Sequence, residues 1–183
     1  LDLKRLLAQV RTSGGATLGS ITNIVPVVSV RNEEGTESLS AASLGAFLTA
    51  LGSHIPPDLL RALESGFFLG LHTVDENAPM LVIPVTSYER AFAGMLAWEG
   101  VMNADLSPLF TPVPDQIAGP GGLPQKRQFE DLIMRNYDVR ALKNDAGGIE
   151  LYYSFPTQNI LIIGESPYSF TEILSRLRAE RKL

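Results

Sequence analysis

Apolar residues along this chain recur every three to four positions in some segments and cluster or alternate in others, and that contrast predicts its elements. In "LDLKRLLAQV", Leu3, Leu6, Leu7 and Val10 fall at the i, i+3, i+4, i+7 spacing of an amphipathic helix, which Gly14-Gly15 ends. "ITNIVPVVSV" is β-branched and reads as a strand, but Pro26 has no N–H for a ladder, so the strand belongs at an edge or carries a bulge. "RNEEGTES" reads as a polar loop. "SLSAASLGAFLTALG" predicts a helix with Leu44, Phe47, Leu48 and Leu51 in one stripe and Gly52 at its stop. "PPDLLRALE" predicts a short third helix, with proline suited to its first turn.

"GFFLGLHTV" and "APMLVIPV" read as strands joined through the polar "DEN", followed by a long helix from about Ser87 to Met102. "DLSPLFTPVPDQIAGPGGLPQKRQ" has no period and reads as a linker or long irregular loop. "FEDLIMRNYDVRALKND", "GIELYYSF" and "NILIIGES" read as three strands, with turns at Asn144-Asp145, Gly147-Gly148 and Thr157-Gln158-Asn159. A last helix runs from about Pro167 to Arg181. Two stretches share one order of strand, turn, strand, Ser/Thr, aromatic, helix: "FFLGLHT…MLVIPVTSYERAFAGML" and "IELYYSF…ILIIGESPYSFTEIL". Such hairpin-plus-helix units predict an α+β fold with a largely antiparallel sheet covered by helices. The chain reads as one domain over 1–183, or as sub-lobes 1–110 and 129–183 joined by the Pro/Gly-rich loop 111–128.

Composition narrows the function classes. A chain of 183 residues buries enough surface to hold a core without a disulfide or metal. Net charge of −5 with no Lys/Arg cluster argues against a nucleic-acid surface; Lys126-Arg127 is a lone pair in a loop. The absence of cysteine removes thiol catalysis, Cys-ligated zinc and iron–sulfur clusters together. No apolar run approaches the roughly 18 residues of a membrane span. No cofactor is expected.

The junction "VTSYERAFAGMLAWEG" concentrates polar groups. Thr86 and Glu89 have the spacing of a capping box; Ser166 before Pro167, with Ser169 and Glu172, repeats the arrangement. These are helix-starting residues first, and Ser87 lies in no G-x-S-x-G elbow. Winding the helix places Tyr88, Phe92, Met95, Trp98 and Met102 on one face and Ala93, Gly94, Ala97 and Gly100 on the other, so that a second element can approach the small face. Glu99 falls among the large apolar residues. It either meets an Arg or a backbone N–H, or it is a perturbed carboxylate in a pocket. His72 on a strand and His54 in a turn lack carboxylates at ligand spacing, so neither predicts a metal site. "GPGGLP" lacks the Lys-Ser/Thr of a phosphate loop. Asp138 and Arg140 share a strand face and read as an exposed ion pair. Tyr152 and Tyr153 point to opposite faces, and the outward one is a candidate contact residue, taken as Tyr153.

"FFLGLHT", "SYERAFAGMLAWE", "DLSPLF", "NYDVRAL" and "LYYSF…LIIGES…F…IL" resemble, in this order, a family of uncharacterised membrane-anchored proteins of candidate-phyla-radiation bacteria. F-A-G-M-L-x-W-E at Phe92 to Glu99 and D-L-S-P-L-F at Asp105 to Phe110 are the most specific parts. The doubled Tyr152-Tyr153 and the Gly-rich linker depart from it. The resemblance implies a short cytosolic segment, a transmembrane helix upstream of Leu1 and this domain outside the membrane; it implies no activity. Apart from the resemblance, a cytoplasmic domain is the alternative, since many cytosolic proteins also lack cysteine. Three readings follow. The first is a non-enzymatic extracytoplasmic domain that binds a protein partner in the cell envelope or self-associates as a homo-oligomer. The others are an enzyme of unrecognised type using Glu99 in a pocket, and a structural subunit of a surface assembly. No catalytic residue is assigned; Glu99, His72, Arg140 and Tyr153 are the candidate binding residues.

Overall fold

The computed structural model describes residues 3–12, 17–31, 35–107, 109–181 and 183. The expected helix stop at Gly14-Gly15, the middle of the polar loop at 32–34 and Pro108 of "DLSPLF" lie outside them. The described residues form five helices and eleven strands, an α+β fold led by its sheet. Seven strands make one antiparallel sheet: β1 (Ile21–Ile24), β4 (Phe68–Thr73), β5 (Asn77–Pro84), β11 (Ile160–Gly164), β10 (Ile149–Thr157), β9 (Tyr137–Lys143) and β8 (Glu130–Met134), in that spatial order. Strands from both sides of residues 111–128 therefore share the sheet.

Four helices lie on its front: α1 (Leu3–Thr12), α2 (Leu44–Leu51), α3 (Pro57–Arg61) and α4 (Tyr88–Asp105). The larger core there joins Leu7, Phe47, Leu59, Met95 and Trp98 to Leu81, Tyr153 and Ile163 of the sheet. The back is covered by α5 (Pro167–Ala179), whose Phe170, Ile173 and Leu174 pack on Met80, Tyr152 and Ile162. The two hairpin-plus-helix units thus stand side by side through β5 and β11, with their helices on opposite faces.

Several expectations are corrected by local chemistry. "ITNIVPVVSV" is not one strand. It breaks at Val25-Pro26, because Pro has no N–H to continue the ladder; β1 stays at the sheet edge, and β2 (Val27–Arg31) leaves to pair with β3 (Glu37–Ala41). β3 takes residues expected in a loop and in the start of the second helix. That helix begins only at Leu44, where the Ser43 hydroxyl accepts from the Ala46 N–H, and ends at Gly52 with φ 75°. "FEDLIMRNYDVRALKND" is two strands, folded back at Arg135 and Asn136, both at positive φ (52° and 67°). That is a two-residue hairpin turn, and Asn tolerates it well. Residues 111–128 are not irregular throughout: β6 (Gln116–Ala118) pairs with β7 (Pro124–Lys126) around a 3₁₀ turn at Pro120–Gly122. Arg127 fastens this hairpin, donating to the carbonyls of Pro114 and Lys143 and to Asp145 at 2.5 Å. Leu6 is exposed, so α1 docks through Leu3, Leu7 and Arg11 instead.

The small face of α4 is not covered as a whole. Ala93, Ala97 and Gly100 are exposed and only Gly94 is buried, because five-residue α3 reaches α4 at one point. A Cβ on Gly94 would stand 2.6 Å from Leu59 Cβ and 3.1 Å from Leu59 Cα. Gly94→Ala is therefore expected to destabilise by about 1–3 kcal/mol, despite the ~1 kcal/mol that Ala normally gains over Gly in a helix. Urea unfolding checks it; a stabilised variant would show that α3 and α4 are further apart.

Candidate functional site

Register builds the site. β8 pairs with β9 so that Asp131 faces Arg140, and β9 pairs with β10 so that Arg140 faces Tyr153. Side chains alternate across a strand, so these three stand in a row on the front face. α4 crosses above them and lowers Glu99 onto the row. Arg140 Nε donates to Glu99 Oε1 at 2.8 Å and Nη2 to Oε2 at 2.7 Å, a two-pronged pair, while Nη1 donates to Asp131 at 3.0 Å. The Tyr153 hydroxyl donates to Glu99 Oε1 at 2.7 Å. The Glu99 side chain is 15% exposed and that of Arg140 22%.

This arrangement fixes the charge states. The hydrogen bonds to Glu99 push the Arg140 guanidinium further upward, against the desolvation that would lower it. Burial, then the hydrogen bond to Glu99, pushes the Tyr153 phenol up. Arg140 stays a cation and Tyr153 stays a hydrogen-bond donor throughout the physiological range. Both oxygens of Glu99 are engaged by these two donors.

Beyond Glu99 the first half of α4 stands off the sheet and leaves a groove of about 740 Å³, walled by Tyr88, Phe92 and Phe155 and lined by Asp131, Asp138 and Arg140. The rings form one cluster: Tyr88 meets Phe155 edge-on at 5.4 Å, Phe92 lies 6.1 Å from Phe155, and Phe155 meets Tyr153 edge-on at 6.3 Å. Ile133 on the rim is 72% exposed.

The expected site residues divide. Glu99, Arg140 and Tyr153 come together, and the Arg-paired reading of Glu99 is the one realised. The partner of Arg140 is Glu99, with Asp131, rather than Asp138, because Asp138 sits across from Ile133 at the rim. Neither tyrosine faces outward: Tyr153 is buried under α4 and Tyr152 under α5. His72 lies on the back face, where its Nδ1 and the Ser169 hydroxyl are 3.0 Å apart and burial lowers its pKa. It takes no part in the groove. The capping boxes do not form. Ser87, not Thr86, caps α4, without a side-chain bond; the Thr86 hydroxyl turns to the Arg61 carbonyl at 3.5 Å, leaving Glu89 in the first helical turn. Ser166 caps α5 without a side-chain bond, and the Ser169–Glu172 box does not form because Ser169 is engaged by His72 and Glu172 by Arg176.

A second polar centre lies at the far end of α4, where no sequence motif points to it. Asp105 ends α4 two turns beyond Trp98 and is buried. It accepts from Trp98 Nε1 at 2.6 Å and from the His54 N–H at 2.7 Å, with His54 Nδ1 2.8 Å away. Burial alone would raise the Asp105 pKa; the hydrogen bonds of His54 and Trp98 outweigh it and hold the carboxyl below its usual value. The spacing of Trp98 to Asp105, seven residues on one helix face, was the available signal.

Among the described residues no cluster of three or more His, Asp or Glu could hold a metal ion, and no helix is long and apolar enough to cross a membrane. No family model, no curated protein and no solved structure matches the chain.

Proposed function

We propose that this chain is a non-enzymatic binding domain, carried on the extracytoplasmic side of a membrane anchor, that engages a protein partner of the cell envelope through the α4 groove. One observation carries the reading. The carboxylate that would centre an enzyme, Glu99, has both oxygens occupied by Arg140 and Tyr153, while the groove beside it presents aromatic walls and an exposed isoleucine. An acid–base catalyst needs a titratable oxygen within reach of substrate; a recognition surface needs rigid rings and fixed charge. The extracytoplasmic placement rests on the resemblance of "FAGMLAWE" and "DLSPLF" to the membrane-anchored family.

Net charge of −5 opposes self-association and favours a different partner. Light scattering over a range of concentrations is expected to give a monomer. A dimer that Ile133→Asp disrupts would move the reading to self-association through the same groove, and open-ended growth would move it to a surface assembly.

A further inference from the structure

We propose that the groove takes a segment of a partner protein that carries a lysine or arginine side chain among apolar ones. This inference rests on the binding reading above and names the chemistry of its ligand.

The argument begins with the charges that the fold leaves over. Asp138 precedes Arg140 by two residues on β9 and so shares its face. Its main-chain carbonyl accepts from the Ser154 hydroxyl at 2.7 Å, but its carboxylate has no ion pair or hydrogen bond among the described residues. Arg140 is not available to it. Nε and Nη2 of Arg140 go to Glu99, and Nη1 goes to Asp131. Asp131 in turn shares that one cation with Glu99 and is 87% exposed. Arg140 is the groove's only lining cation among the described residues, against two lining aspartates.

The walls make the same choice. Tyr88, Phe92 and Phe155 expose ring surface to the groove. Ring faces carry the negative part of the aromatic quadrupole and attract ammonium and guanidinium groups. The methylene stem of Lys or Arg packs on such rings while its head reaches a carboxylate. Asp138 stands at that end, opposite Ile133, whose exposed side chain offers apolar contact to neighbouring residues of the segment. An acidic segment would meet Asp131 and Asp138 with like charge, and so would a second copy of this acidic chain.

The test uses the purified chain and three fluorescein-labelled synthetic peptides of equal length, alternating leucine with lysine, with serine or with glutamate. Fluorescence anisotropy is expected to rank lysine first, roughly tenfold above serine, with glutamate weakest. Asp138→Asn should weaken the lysine peptide roughly fivefold and leave the serine peptide unchanged, since one exposed charge pair is removed. Salt at about 0.5 M should remove most of the lysine advantage. Phe92→Ala should weaken both peptides. Asp138 is exposed, so Asp138→Asn is expected to keep the wild-type thermal melt. A lysine peptide that binds no better than the serine peptide, or one indifferent to Asp138→Asn, overturns the inference. If serine-peptide binding still depends on Phe92 in that case, the groove reading stands and only its cationic ligand falls. If no peptide depends on Phe92, both fall.

Discussion

Arg140→Leu is expected to cost about 3 kcal/mol of stability, a fall of roughly 6–12 °C in Tm for a domain of this size. The loss comes mainly from what remains. Glu99, with 15% of its side chain exposed, loses its two-pronged partner, so that only the Tyr153 hydroxyl still serves it. The partial exposure of both groups holds the cost at the lower end of the range for broken buried pairs. Glu99→Leu leaves Arg140 with the exposed Asp131 and should cost less. The double variant Glu99→Leu/Arg140→Leu should recover much of the Arg140→Leu loss, because no uncompensated charge is left inside. Thermal unfolding of all four proteins checks this. Single losses that add in the double variant would mean that the pair is not coupled as described.

The second large effect is at Asp105. Asp105→Ala leaves the buried Trp98 indole N–H without its acceptor and removes the part-buried bond from the His54 amide, and is expected to cost about 3 kcal/mol. Its pH dependence has a definite sign. The folded-state pKa of Asp105 lies below the unfolded value of 3.8. The ionised carboxylate therefore contributes stability that is complete above the unfolded value and is lost as pH falls through the folded one. In urea titrations the gap between wild type and Asp105→Asn should be wide at neutral pH and should narrow below about pH 4. Glu165 acts oppositely: burial raises its pKa above 4.5, so stability falls as pH rises from 4.5 through the folded value. Both proteins retain Glu165, and their difference isolates Asp105. A gap that stays constant down to pH 3 would contradict the account.

Much of the fold is legible in the amino-acid order because its apolar patterns are strong. The Leu44, Phe47, Leu48, Leu51 stripe, the Gly52 stop, the β4–β5 hairpin and the two hairpin-plus-helix units are where periodicity puts them. The pattern misleads where a short signal has to outweigh a long one. Arg135-Asn136 is a two-residue turn without glycine, hidden within an uninterrupted run of strand formers. β3 is assigned to a strand by pairing with β2, not by its own sequence, since every residue of both strands is exposed.

The site was half visible. Helical winding placed Glu99 among apolar residues and asked for a partner, but nothing local names Arg140, 41 positions away. Only the β8–β9–β10 register brings Asp131, Arg140 and Tyr153 into one row. The capping boxes failed for the converse reason. Their spacing was right, but long-range partners took the side chains: Arg61 for Thr86 and His72 for Ser169.

The most direct test of the groove as the partner surface is site-specific photo-crosslinking in cells of the source organism. A photoreactive phenylalanine at Phe92, in the groove wall and 38% exposed, is compared with one at Tyr168, more exposed at 69% but on α5 across the sheet. The account predicts a discrete crosslinked product from position 92, lost when Ile133→Asp is added, and none from position 168. Equal products from both positions, or none from position 92, would contradict it.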